Sequence, residues 1–150
     1  SHHVIYMYMY AGQPWKTADR IRETLATMYT NKPDGLSGNE DVGQMSAWYV
    51  LSSMGFYQVS PAGGPFVFGS PLFDEVSIAL PAGKSFVVKA LNNSAENKYI
   101  QSVRLNNKDY SKAYISYADV MAGGVLEFTM GSKPSATFGV HPDVRPQTIQ

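Results

Sequence analysis

The spacing of apolar residues changes character near residue 58, and that change limits what the chain can fold into. Before it, apolar residues recur at helical spacing: Ile21, Leu25 and Met28 stand at i, i+4 and i+7. After it they alternate, with Phe86, Val88 and Ala90 interleaved with Val87 and Lys89, and Val103 and Leu105 flanking Arg104. A helical stretch followed by short alternating runs argues for an α+β chain, with helices over 1–58 and an antiparallel β-rich region over 59–150.

Within the first stretch, Val4 to Tyr10 is an aromatic and β-branched run that reads as a strand or as a buried helix. Gly12 and Pro14 end it either way. Thr17 is a good N-cap for a helix over Ala18 to Met28. Asn31-Lys-Pro-Asp-Gly35 is turn chemistry. A further helix is expected from Val42 to Met54, burying Met45, Trp48, Tyr49 and Ser52 and stopped by Gly55. Beyond the breaker cluster Pro61-Ala-Gly-Gly-Pro65, strands are expected at Glu75 to Leu80, Ser85 to Leu91, Tyr99 to Leu105, Tyr114 to Ser116 and Val125 to Met130. The three short helices are too apolar to stand alone. Either the strands cover them or they belong to a larger helical assembly, and the latter is the expectation.

Composition narrows the function classes. Twelve basic residues balance twelve acidic ones with no basic run, so nothing in the charge suggests nucleic acid or an anionic membrane. The absence of cysteine removes disulfides and zinc–thiolate sites. The longest apolar run is far shorter than a membrane span. His2 and His3 are adjacent and lack the i, i+4 spacing of a zinc pair, and no EF-hand loop occurs. Ser1-His-His3 is read either as a tag remnant or as native structure, since it leads without a linker into the apolar run.

The segment with most chemical content is Gly38-Asn-Glu-Asp-Val-Gly-Gln44, an acidic loop between glycines that runs into a helix. Two readings stand side by side. Asp41 and Gln44 have capping-box spacing, so the aspartate can simply cap the helix. Alternatively, Asn39, Glu40 and Asp41 form a polar site. Glycines at 35, 38 and 43 allow close approach, and the helix dipole favours the charged form that a general base requires.

Several spaced motifs then agree in order. Ser1-His-His3 with Ala11-Gly-Gln-Pro-Trp-Lys16, then Pro33-Asp-Gly-Leu36, Gly38-Asn-Glu-Asp41, Gly43-Gln-Met-Ser-Ala-Trp-Tyr49 and Met54-Gly-Phe-Tyr57, resemble the calcium-dependent α-mannosidases of glycoside hydrolase family 92. Gly69-Ser-Pro-Leu-Phe73 and Ala113-Tyr-Ile-Ser116 continue the likeness, which fades from about Ser132. The resemblance implies the last helices of an (α/α)6 barrel followed by β structure, in an inverting exo-α-mannosidase acting on mannose-containing glycans. It implies that Asp41 is the general base. Asn39 occupies a place where many relatives carry a second aspartate; an amide can orient water or sugar but takes no proton. His2, His3, Glu40 and Gln44 are implied as substrate contacts. Ca2+ is the implied cofactor, with no complete cage in this chain. The general acid and the N-terminal part of the protein would lie upstream, and location would be periplasmic or secreted. The rival reading is a non-catalytic β module that binds carbohydrate or another part of its own protein.

Overall fold

The computed structural model describes residues 2–148; Ser1, which opens the His2–His3 motif, lies outside them. The ambiguous opening run is helical: a 3-10 turn over Val4–Tyr6 leads into α1, Met7–Tyr10, with Tyr6 and Met9 buried. Helix α2, Pro14–Thr27, starts earlier than its sequence suggests. Proline at the first helical position gives up an N–H that has no intrahelical partner and brings a helical φ, so Pro14 opens this helix as well as ending the preceding one. Thr17 is therefore not the cap. It is buried inside the helix, where its hydroxyl donates to the Ile5 carbonyl at 2.7 Å and ties α2 to the opening turn. The stripe Pro14, Thr17, Ala18, Ile21 and Leu25 faces inward.

Helix α3, Gln44–Met54, begins two residues later than expected and ends at Gly55, whose φ of 111° is the anticipated left-handed stop. A Cβ at Gly55 would lie 3.0 Å from the Phe128 ring and 3.1 Å from Pro71, so the residue also permits close packing there. Trp48 and Ser52 are buried on the α3 face toward the core, while Met45 and Tyr49 are half-buried.

Among the described residues, eight strands follow. β1 (Phe56–Gln58), β2 (Phe66–Phe68) and β7 (Tyr114–Ile115) make a three-stranded antiparallel sheet in the order β1-β2-β7. β3 (Glu75–Ala79), β4 (Ser85–Leu91), β5 (Tyr99–Leu105), β6 (Lys108–Asp109) and β8 (Gly124–Gly131) form a second sheet, ordered β3-β4-β8-β5-β6. A five-residue helix α4, Tyr117–Met121, precedes β8 and is capped by the Ser116 hydroxyl. Ladders are antiparallel except β4–β8, which is parallel. A bulge between Ile100 and Ser102 lets both Ile100 and Val103 face the core, which strict alternation would forbid.

The two halves share one core. Phe68 packs edge-on against Phe128 with ring centroids 5.0 Å apart, joining the sheets. Tyr6 and Ile21 crowd Gly69 so closely that a Cβ there would lie 2.4 Å from Ile21 Cδ1. Strand segments thus cover one side of the helices, while Val4, Met7, Met28 and Val50 remain exposed on others.

Candidate active site at the mouth of helix α3

Every α-helix opens with amide N–H groups that lack intrahelical acceptors. In α3 those of Gln44, Met45 and Ser46 are met from the preceding loop. The Asp41 carbonyl accepts from Gln44 N–H at 3.3 Å and the Glu40 carbonyl from Met45 N–H at 3.2 Å. Ser46 N–H donates to the Glu40 carboxylate, Oε1, at 2.9 Å. The capping-box alternative is therefore corrected: Glu40, not Asp41, supplies the capping carboxylate, and Gly43 stands at the N-cap position without a side-chain bond. The reason is backbone geometry. Asp41, Val42 and Gly43 have φ of 54°, 59° and 89°, three left-handed residues in succession, which delay the helix and turn residue 40 back over it.

Asp41 is exposed, and its carboxylate has no hydrogen-bond or ion-pair partner among the described residues. Asn39 and Gln44 are exposed as well. Gly38 and Gly43 have open space where a side chain would be, so their value here is positive φ. Gly35 is different: a Cβ would lie 2.0 Å from the Thr30 carbonyl, inside the turn closed by Thr30 N–H to Gly35 O at 2.9 Å.

His2 is brought to this helix end. Its Nε2 lies 2.8 Å from Met45 Sδ, and its carbonyl accepts from the Trp48 indole N–H at 2.9 Å. Met45 thus contacts His2 through its side chain and Glu40 through its amide. His3 is exposed at the start of the 3-10 turn, with no side-chain hydrogen bond there.

Tyr29 was not singled out by sequence reasoning, yet it supports the same helix end. Its hydroxyl donates to the Met45 carbonyl at 3.1 Å, and its ring stacks on Trp48 at 5.8 Å and tilts against Tyr49 at 4.9 Å. Burial, and then the Glu40 and Tyr57 charges, raise its phenol above the ordinary value. The Asn31–Gly35 turn was the available signal, since it folds the chain back and pairs Tyr29 with Leu36. Between that turn and α3 runs an open groove of about 520 Å³, lined in part by Tyr29, Asn31, Lys32, Leu36, Ser46 and Tyr49.

No cluster of three or more His, Asp or Glu side chains suited to a metal occurs among the described residues. No helix among the described residues is long and apolar enough to cross a membrane.

The chain belongs to glycosyl hydrolase family 92: residues 1–132 match the family's catalytic domain. It is 42% identical to the inverting mannosidase BT2199 of Bacteroides thetaiotaomicron VPI-5482, with a TM-score of 0.90 over 97% of this chain and 20% of that one. The α-mannosidase BT3965 of Bacteroides thetaiotaomicron, solved in complex with mannoimidazole, is 39% identical with a TM-score of 0.93, over 99% of this chain and 20% of that one. An uncharacterized secreted glycosidase of Arthroderma benhamiae is 33% identical over 144 residues, which make up 94% of this chain and 19% of that protein. The mixed helix-and-sheet architecture is that of the C-terminal region of these mannosidase structures. The chain spans about a fifth of the length of these relatives.

Proposed function

We propose that this chain is the C-terminal part of an inverting, calcium-dependent exo-α-mannosidase, and that Asp41 is its general base. The carboxylate takes a proton from water as the water oxygen attacks the anomeric carbon of a terminal mannose. The bond from that carbon to the leaving oxygen breaks on the opposite face. A second carboxyl group, from polypeptide outside this chain, gives the leaving oxygen its proton. Inverting enzymes set the two carboxyl groups roughly 6.5–9.5 Å apart to leave room for the water. Asn39 orients water or sugar, and His2, His3 and Gln44 contact sugar hydroxyls. A calcium ion, when bound, would hold mannose hydroxyls through oxygen ligands. The proposed location is secreted or periplasmic; a relative called a secreted glycosidase supports the first of these.

The observation that carries this reading is the free Asp41 carboxylate. Capping of α3 is delegated to Glu40, which leaves Asp41 exposed and unpartnered among the described residues. Similarity to a mannosidase that binds mannoimidazole supports mannose as the sugar. The test is Asp41→Asn in the full-length protein, with turnover of α-1,2-linked mannobiose as readout. Loss of turnover in a folded enzyme is expected, and undiminished turnover contradicts the base role. The isolated 150-residue chain is expected to release no mannose, since it would lack the acid.

A further inference from the structure

We propose that Glu40 is a positioning residue for Asp41: anchored on the Ser46 amide, its carboxylate fixes the left-handed turn that aims the base. This inference rests on the base role of Asp41 proposed above.

The turn needs something to hold it. Asp41 and Val42 are not glycine, and a β-branched residue at φ 59° is a backbone outlier. Such conformations persist only where surrounding contacts over-determine them. Val42 supplies none, because its side chain is fully exposed. Asp41 supplies none through its carboxylate, and Gly38 and Gly43 have open space around them. What remains are backbone bonds from the first turn of α3 and one side-chain bond, Ser46 N–H to Glu40 Oε1 at 2.9 Å. Residue 40 therefore grips the helix twice, through its carbonyl at Met45 and its carboxylate at Ser46, immediately before the strained residues. The far side is braced by Tyr29, whose hydroxyl holds the Met45 carbonyl at 3.1 Å. Asp41 has only its backbone to place it, so the geometry of the base is the geometry of this turn. A misplacement of about 1 Å can cost on the order of a hundredfold in rate.

Reach and charge can be separated in the full-length enzyme. Glu40→Gln keeps an oxygen acceptor at the same reach and loses the charge; Glu40→Asp keeps the charge and loses the reach; Glu40→Ala loses both. The expected result is kcat lowered about a hundredfold in Glu40→Ala and Glu40→Asp, KM within about threefold, and most of kcat recovered in Glu40→Gln. Circular dichroism confirms that each variant is folded, and Glu40→Gln preserves the test if the alanine variant is not. Glu40→Gln as damaged as Glu40→Ala, or Glu40→Asp as active as the parent, overturns positioning in favour of a charge-dependent role. Full kcat in Glu40→Ala with Asp41→Asn inactive overturns positioning alone. Full kcat in Asp41→Asn overturns the base role and this inference with it.

Discussion

Two polar regions of this molecule use their hydrogen-bonding capacity in opposite ways. Arg22, half-buried on α2 where it meets the strand-side loops, commits four of its five guanidinium N–H donors. Nε donates to Ser70 Oγ at 2.9 Å, Nη1 to the Ser94 carbonyl at 3.0 Å, and Nη2 to Pro71 O at 2.7 Å and Asn93 Oδ1 at 2.6 Å. Its partners are engaged too: Ser70 donates to Lys98 O at 2.7 Å, and the Asn93 amide reaches the carbonyls of Pro71 and Leu72 at 3.2 Å. Burial lowers the Arg22 pKa, and neutral oxygens rather than a carboxylate receive its protons. At the mouth of α3 the reverse holds. Asp41 is exposed and unpartnered among the described residues, on backbone that is strained instead of relaxed. A closed polar node fixes how helices meet strands. An open one on a strained loop is available to something else, and strain of this kind gathers at functional sites.

That contrast can be broken by exchanging the consequences of mutation. Asp41→Asn in the full-length enzyme is expected to lower kcat by about a thousandfold, within the range for losing a general base, while stability moves by less than about 0.5 kcal/mol. Parallel activity and urea-denaturation measurements read both, and a large stability loss with intact turnover would make Asp41 structural. Arg22→Met should behave oppositely. It strands acceptors on buried Ser70 and Pro71 and on half-buried Asn93 and Ser94, and is expected to cost about 2–4 kcal/mol by denaturation, with kcat of the folded enzyme retained. A cost below about 0.5 kcal/mol would erase the distinction between the regions.

Smaller effects sharpen the picture. Val42→Gly removes an exposed side chain that the left-handed backbone disfavours, and should raise stability by about 0.5–1 kcal/mol; a fall in the urea midpoint would mean the strain is not there. Ser53→Ala should be neutral or slightly stabilising. Its buried hydroxyl has no hydrogen-bond partner among the described residues, so nothing is lost with it. The remaining effect is confined to alkaline pH. Burial, then the Asp119 and Tyr114 charges, pushes the Tyr110 phenol from 10.0 up to about 12. Its folded pKa is raised, so its contribution is complete below pH 10 and is lost as pH rises toward 12. Tyr110→Phe should flatten urea midpoints across that interval, and an unchanged slope would assign the loss elsewhere.

Much of the fold is legible in the sequence, where alternation is strong and bounded by turns. Ser85–Leu91 and Tyr99–Leu105 are strands over the expected residues. The three-residue strands β1 and β2 are too short to establish a period, and β6 and α4 are likewise absent from the pattern. Alternation also cannot tell a parallel partner from an antiparallel one, which is why β4–β8 went unforeseen. At the candidate site, the loop and its residues are legible but their division of labour is not. Capping-box spacing pointed at Asp41, but two left-handed residues before Gly43 shift the helix start and hand the cap to Glu40, six residues ahead of the amide it serves. Nothing in the letters Asp-Val-Gly announces that geometry, since valine argues against it.

The base role of Asp41 is tested most directly by replacing the water. Azide needs no deprotonation to attack the anomeric carbon, so it can stand in for water where only the base is missing. In full-length Asp41→Asn supplied with azide and an activated α-mannoside, the expected result is restored turnover with β-mannosyl azide as product, identified by NMR. A variant that hydrolyses the mannoside as fast as the parent without azide, or that stays inactive with azide though folded and able to bind sugar, would contradict that role.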